Sequence, residues 1–260
     1  MKTLLFLGPT LRAAEAQARL PGVVVRPPAA AGDVLAAAGE GWDRIAVVDG
    51  YFERMAAIWH KELLWAMERG AAVYGAASMG AIRAAELAPH GMVGVGVICG
   101  WYRRGVVRDD AEVAVAHLPA ERGYLPVTVA LVNLRAALAV AVGRGVLGRA
   151  AAGVVLASAG SVFYRERDWA AIAAAARGAG VSAGAWRGFE RFWQAEAPDR
   201  KAADARALLA VLAGPRPRRR ARPAPVARTW AFARLRALYP DAHSTPPTSP
   251  TTKMPRRRSR

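Results

Sequence analysis

One cysteine, Cys99, occurs in the 260 residues. An internal disulfide framework and a multi-cysteine metal site are thereby excluded, and the composition fits a reducing compartment. No apolar run approaches the roughly 20 residues that a membrane-spanning helix needs. The run Thr3 to Leu7 is too short for a signal-peptide core, and Gly8, Pro9 and Arg12 interrupt it. A Walker-type phosphate loop is missing. Gly94-x-Gly96-x-x-x-Gly100 has the wrong spacing for a dinucleotide fingerprint. The expectation is a soluble cytoplasmic protein with no membrane contact and no bound cofactor or metal.

Acids are also scarce, 20 against 37 Lys and Arg, giving a net charge of +17. The excess is concentrated. Residues 214–260 hold 13 basic residues and one acid, Asp241, whereas residues 1–213 carry only +5. The tail is rich in Pro, Ser and Thr, so 214–228 reads as a linker, 229–239 as a short helix and 240–260 as disordered. Arg216, Arg218, Arg219, Arg220 and Arg222 could form a patch for an acidic partner or RNA. A solvated Arg-rich tail is the simpler reading, because no RNA-recognition, zinc-finger or helix-turn-helix signature accompanies it. Nucleic acid is therefore not the expected partner.

What is present is a core. Apolar residues make up 53% of the chain, enough to bury a sizeable interior. Short unbroken apolar runs at Lys2–Leu7, Val23–Arg26, Arg44–Val48 and Ala72–Ala76 read as buried strands. Helical patterns lie between and after them, at Thr10–Leu20, Asp33–Glu40, Met55–Arg69 and Met79–Leu87. Met92 to Gly100 reads as a further strand, which would bury Cys99 within it. This alternation predicts an α/β domain over 1–120 with an open, mostly parallel, flavodoxin-like sheet. Helices are expected at 126–143, 145–158, 168–178, 186–197 and 200–213, a helical part spanning 121–213. In such sheets ligands bind beyond the carboxyl ends of the strands, which directs attention to Gly8–Arg12, Asp49–Arg54 and Ala77–Gly80.

Gly75-Ala76-Ala77-Ser78-Met79-Gly80-Ala81 runs from a strand through a serine into a helix, with small neighbours. A nucleophile elbow has this form, and the Met79 amide would then sit at a helix N-terminus where an oxyanion can be stabilised. The match to G-x-S-x-G is imperfect, because Ala76 stands where the first glycine belongs. Ser78 could equally cap the helix or form an anion-binding turn. A serine nucleophile needs a base. His60 and His117 are the candidates, with Lys61 a third if burial lowers its pKa. Asp49 and Glu53 could orient the base. Glu86 lies eight residues past Ser78, about two helical turns away. Asp109, Asp110 and Glu112 could hold a hard cation or form a solvated turn.

These residues also carry a resemblance. Asp49-Gly50-Tyr51-Phe52-Glu53, Trp59-His60-Lys61-Glu62-Leu63-Leu64, the block Gly75 to Leu87 and Gly91-Met92-Val93-Gly94-Val95-Gly96 resemble the core of the TfuA family. Asp109-Asp110-x-Glu112 through His117, Gly123-Tyr124 and, more loosely, Lys201-x-x-Asp204-Ala205 continue it. The resemblance implies an accessory role beside a YcaO enzyme in peptide backbone thioamidation. The YcaO partner uses ATP to activate an amide oxygen, and sulfur displaces it. The TfuA-like protein would supply that sulfur, by hydrolysing a thiocarboxylated ThiS-like carrier or by recruiting the carrier without catalysis. The peptide or protein being modified would be ribosomally made. Transfer of the acyl group to Ser78 would release sulfide through an oxyanion, with His60 ahead of His117 as base. Cys99 is a poor persulfide carrier, since an apolar site makes a thiol less reactive.

Overall fold

The structure is a computed structural model that describes residues 1–52, 55–196, 198–215 and 225–239. Five strands form one sheet: β1 (Thr3–Phe6), β2 (Val24–Arg26), β3 (Arg44–Val47), β4 (Ala72–Ala76) and β5 (Val93–Val95). Their order is β2-β1-β3-β4-β5 and all pairs are parallel. This is the doubly wound order expected of a flavodoxin-like sheet. The helices of this half are α1 (Ala13–Arg19), α2 (Asp33–Ala37), α3 (His60–Glu68), α4 (Met79–Glu86) and α5 (Val97–Arg103).

The alternation of side chains along each strand sorts the core into two faces. Leu4, Phe6, Ile45, Val47 and Val73 face α2, α3 and α4. Leu5, Leu7, Ala46, Val48, Tyr74 and Ala76 face the opposite way. The cover on that second face comes largely from far along the chain. After α6 (Leu131–Gly143), α7 (Arg149–Ser161), α8 (Trp169–Gly178) and α9 (Ala183–Glu196), which have their own core around Phe189 and Val155, α10 (Arg200–Ala213) lays Ala202, Ala205, Leu208, Leu209 and Leu212 on the sheet.

Polar contacts fix the direction of α10. Asp199 caps its start, accepting from Ala202 N at 2.9 Å. Its last carbonyls, Leu212 O and Gly214 O, accept from the buried guanidinium of Arg44, the first residue of β3. A cation at a helix C-terminus is favourable both as a donor and against the helix dipole. The C-terminus of α10 thus meets the amino end of β3, and its N-terminus lies over the carboxyl edge of the sheet. A last helix, α11 (Trp230–Leu238), packs Phe232 on Trp65 of α3 at 5.8 Å between ring centres. The basic residues 216, 218–220 and 222, and the segment 240–260, lie outside the described residues.

The helices expected at 126–143 and 145–158 span Leu131–Gly143 and Arg149–Ser161, and two further departures bear on the sheet. Helix α3 begins at His60 rather than Met55. The Glu62 carboxylate accepts from Trp59 N at 3.0 Å and so fixes the start of the helix. Met55 and Trp59 have the right spacing for a helical stripe but are exposed. Cys99 lies in α5, not in a strand. Gly96, at φ +95, ends β5, and Asp204 of α10 accepts from Ile98 N at 2.7 Å at the start of α5. A Cβ on Gly96 would come within 2.3 Å of the Asp204 carboxyl carbon, so glycine is required there.

Glu62 is wholly buried and also accepts from Gly32 N at 2.9 Å and Leu35 N at 3.2 Å. Burial outweighs these three donors and pushes its carboxyl up to about 7. The unfolded chain gives up this proton near the ordinary value of 4.5. Between pH 4.5 and 7 the folded state therefore binds more protons, and its stability falls as pH rises. Urea titrations should find that Glu62→Gln gains about 3 kcal/mol on the wild type between pH 4.5 and 7.5. A pH-independent difference would contradict the assignment.

Candidate functional site at the carboxyl edge of the sheet

Strands β1, β3 and β4 end in three loops that carry most of the sequence candidates. The loop after β4 is a tight bend. Ser78 N donates to Ala76 O at 2.7 Å, and the residue between, Ala77, has φ +65. A bond two residues back across a positive φ is the rarer, strained form of the γ-turn. An L-residue other than glycine there carries a cost of about 1–2 kcal/mol. The strained position is thus alanine, one residue before the serine.

Ser78 is the N-cap of α4, but its hydroxyl makes no capping hydrogen bond, and the residue is 3% exposed. The Met79 amide opens the helix with no backbone acceptor among the described residues. The Met79 side chain is buried in the core. Because the hydroxyl caps nothing, Ser78→Ala should cost less than about 0.5 kcal/mol of stability. A thermal or urea melt showing a loss of 1 kcal/mol or more would contradict that.

The histidines are engaged elsewhere. His60 Nε2 is 2.8 Å from Glu86 Oε2, and Arg83 Nη1 bonds the same oxygen at 2.7 Å. Glu86 is at the far end of α4, about 12 Å along the helix from Ser78. His117 Nδ1 is 2.8 Å from Leu118 O, and its ring packs between Tyr51 and Tyr124, with centroids 6.3 and 5.6 Å away. Burial, then Tyr124, pushes the Tyr51 phenol up to about 12. Lys61 donates to Ala227 O at 3.1 Å and Thr229 Oγ1 at 2.5 Å, tying the C-terminal segment to α3. Among the described residues no hydrogen bond joins Ser78 to any of the three.

Asp49 is 1% exposed and binds inward. Its Oδ2 accepts from Gly8 N at 2.9 Å and Thr10 N at 3.1 Å, and its Oδ1 accepts from Thr10 Oγ1 at 2.6 Å. The carboxylate therefore fastens the loop after β1 to the end of β3. Glu53 lies outside the described residues. The acidic run is also structural. Asp109 Oδ1 accepts from Ala111 N at 2.8 Å, and Glu112 pairs with Arg135 at 2.5 Å. Among the described residues no group of three His, Cys, Asp or Glu is placed to hold a metal ion. Cys99 is buried, which pushes its thiol up.

The sequence reading missed Lys201 as a site residue. It is 4% exposed, and its ammonium donates to Val113 O at 2.9 Å. Burial drives its pKa below the ordinary lysine range, while Asp49 and Asp199 pull it back up. It lines a cavity of about 190 Å³ with Thr10, Thr128, Asn133 and Asp199, walled on the apolar side by Trp193 and Val129. Sequence spacing could not reveal this, since Lys201 reaches the sheet edge only through the packing of α10.

Residues 49–168 match the family model of TfuA-like protein. The matched stretch runs from Asp49 through β4, the Ser78 bend and His117 to the start of α8. The TfuA-like family is known in the context of YcaO-associated thioamide formation and implies partnership with a YcaO enzyme in general. Comparison with curated proteins gives no match. No described helix is long and apolar enough to cross a membrane.

Proposed function

We propose, taking the TfuA-like match of residues 49–168 as the premise, that this protein delivers sulfur to a YcaO enzyme by holding a thiocarboxylated carrier for it, without itself consuming the carrier. The observation that carries this reading is the contrast at the sheet edge. Ser78 is buried and hydrogen-bonded to no histidine among the described residues, while a cavity lined by Thr10 of the loop after β1, Asp199 and Lys201 lies apart from it. The absence of a phosphate loop from the sequence fits a division of labour in which ATP belongs to the enzyme. The carrier would be ThiS-like and the acceptor a ribosomally made peptide or protein.

Thioamide formation should be followed by mass spectrometry with YcaO enzyme, ATP, peptide and limiting thiocarboxylated carrier. Adding this protein should raise the rate, and Ser78→Ala should raise it equally. No stimulation by either form would overturn the accessory role.

A second reading has its own support in the strained bend at Ala77 and in the Met79 amide at the start of α4, which meets no backbone acceptor among the described residues. Ser78 Oγ would attack the acyl carbon and pass its proton to a base. The carbon–sulfur bond would break to release sulfide, and water would then cleave the acyl-serine to leave a carboxylate. His60 or His117 would have to change partners to act as the base. This reading requires sulfide to appear with carrier alone.

A further inference from the structure

Helix α11 is joined to the domain by a small core and a charged rim. Val226, Phe232 and Leu235 meet Leu35 of α2 in a cluster apart from the larger ones, with Leu64 and Trp65 of α3 at its margin. Glu68 of α3 accepts from Val226 N at 2.8 Å and lies 3.7 Å from the Arg228 guanidinium. Trp65 is the hub. Phe232 meets its ring edge-on, while Arg228, Arg236 and Arg69 place their guanidinium carbons 4.7, 5.1 and 5.6 Å from its centre. Each is a cation–π contact, but three like charges crowd one indole, and among the described residues only Glu68 pairs with any of them. The other side of α11 is uncovered. Trp230 is 81% exposed and Leu238 61%, so the helix shows as many large apolar side chains as it hides.

We infer that α11 is a detachable plug in a helix-binding groove of α2 and α3, whose other occupant is a partner's basic amphipathic helix with an aromatic residue and a leucine three positions apart. A helix of nine residues does not persist alone in water, so α11 is helical only while docked. Its small core sets a low free energy of local opening. Opening leaves the sheet intact, because no buried residue of the two clusters that flank the sheet belongs to α11. Residues 216–224, which separate α11 from α10, hold five arginines and no large apolar side chain to anchor it further. Phe232 and Leu235 have the i, i+3 spacing by which helices enter apolar grooves. Lys61 holds Ala227 O and Thr229 Oγ1 just ahead of the helix, a contact with backbone and hydroxyl that a helix from another chain can also offer. The inference stands apart from the sulfur-delivery reading.

The test adds a fluorescent peptide of residues 225–239 to the full chain and follows its anisotropy. In the unaltered chain α11 competes at the high local concentration of a tethered segment. Phe232→Ala removes its anchor, so that variant should bind the peptide at least about tenfold more tightly than the unaltered chain does. A control peptide of the same charge, itself carrying Phe232→Ala, should bind the variant at least about tenfold more weakly. Equal binding by the two proteins, binding by neither, or equal binding of the two peptides overturns the plug. So does a Phe232→Ala chain that loses its circular dichroism, since α11 would then be part of the core. In the unaltered chain, amide hydrogens of 233–238 should exchange at least about a hundredfold faster than those of α4, and equal protection would also overturn it.

Discussion

Gly80→Ala is expected to destabilise the protein by more than about 3 kcal/mol and to lower its soluble yield sharply. A Cβ at this position would come within 1.8 Å of Val47 O. The obstacle is backbone of a central strand, so no rotamer change relieves it. The closeness has a cause in the fold. Gly80 N donates to Val48 O at 3.2 Å, which docks the first turn of α4 directly on β3. Gly75 is in the same position from the other side, since its Cβ would come within 2.0 Å of Gly80 O. A control isolates the effect. Gly153 lies inside α7 with open space around it, so the same change there should stabilise by about 0.5–1 kcal/mol. Chemical denaturation of the two variants should thus give opposite signs. A Gly80→Ala protein as stable as wild type would mean that α4 does not rest on β3 as described.

Asp49→Ala carries the second large effect, about 4 kcal/mol of lost stability. The change strands the Gly8 and Thr10 amides, which are buried around the carboxylate. It also removes a negative charge that supports the ammonium of Lys201. Asp49→Asn keeps one acceptor oxygen and should cost roughly half as much. The ordering wild type, Asn, Ala in urea midpoints is the readout. Variants of equal stability would mean that the carboxylate is not the fastening between the loops after β1 and β3.

Much of this arrangement was legible in the sequence. The unbroken apolar runs of β1, β3 and β4 have few alternatives, and the small residues from Gly75 to Gly80 foretold a tight bend into α4. Local chemistry decides both. Legibility failed wherever a distant residue decides. The stripe Met55, Trp59, Leu63, Met67 has helical spacing, yet the helix begins at His60, where Glu62 holds Trp59 N. Cys99 looked like part of a strand because Asp204, which helps start α5, lies 106 residues from Ile98. Lys201 stayed hidden as a site residue for the same reason, since only the packing of α10 carries it to the sheet edge. The bend itself held one surprise. Its composition fits an elbow centred on Ser78, but the left-handed backbone falls on Ala77.

The central claim is that the carrier is bound and not consumed. The most direct measurement mixes this protein with thiocarboxylated carrier alone, without YcaO enzyme or ATP, and follows both complex formation and free sulfide. The account predicts a complex, an intact thiocarboxylate by mass spectrometry, and the same result for Ser78→Ala. Rapid sulfide release that disappears in Ser78→Ala would contradict it and establish the serine as a nucleophile.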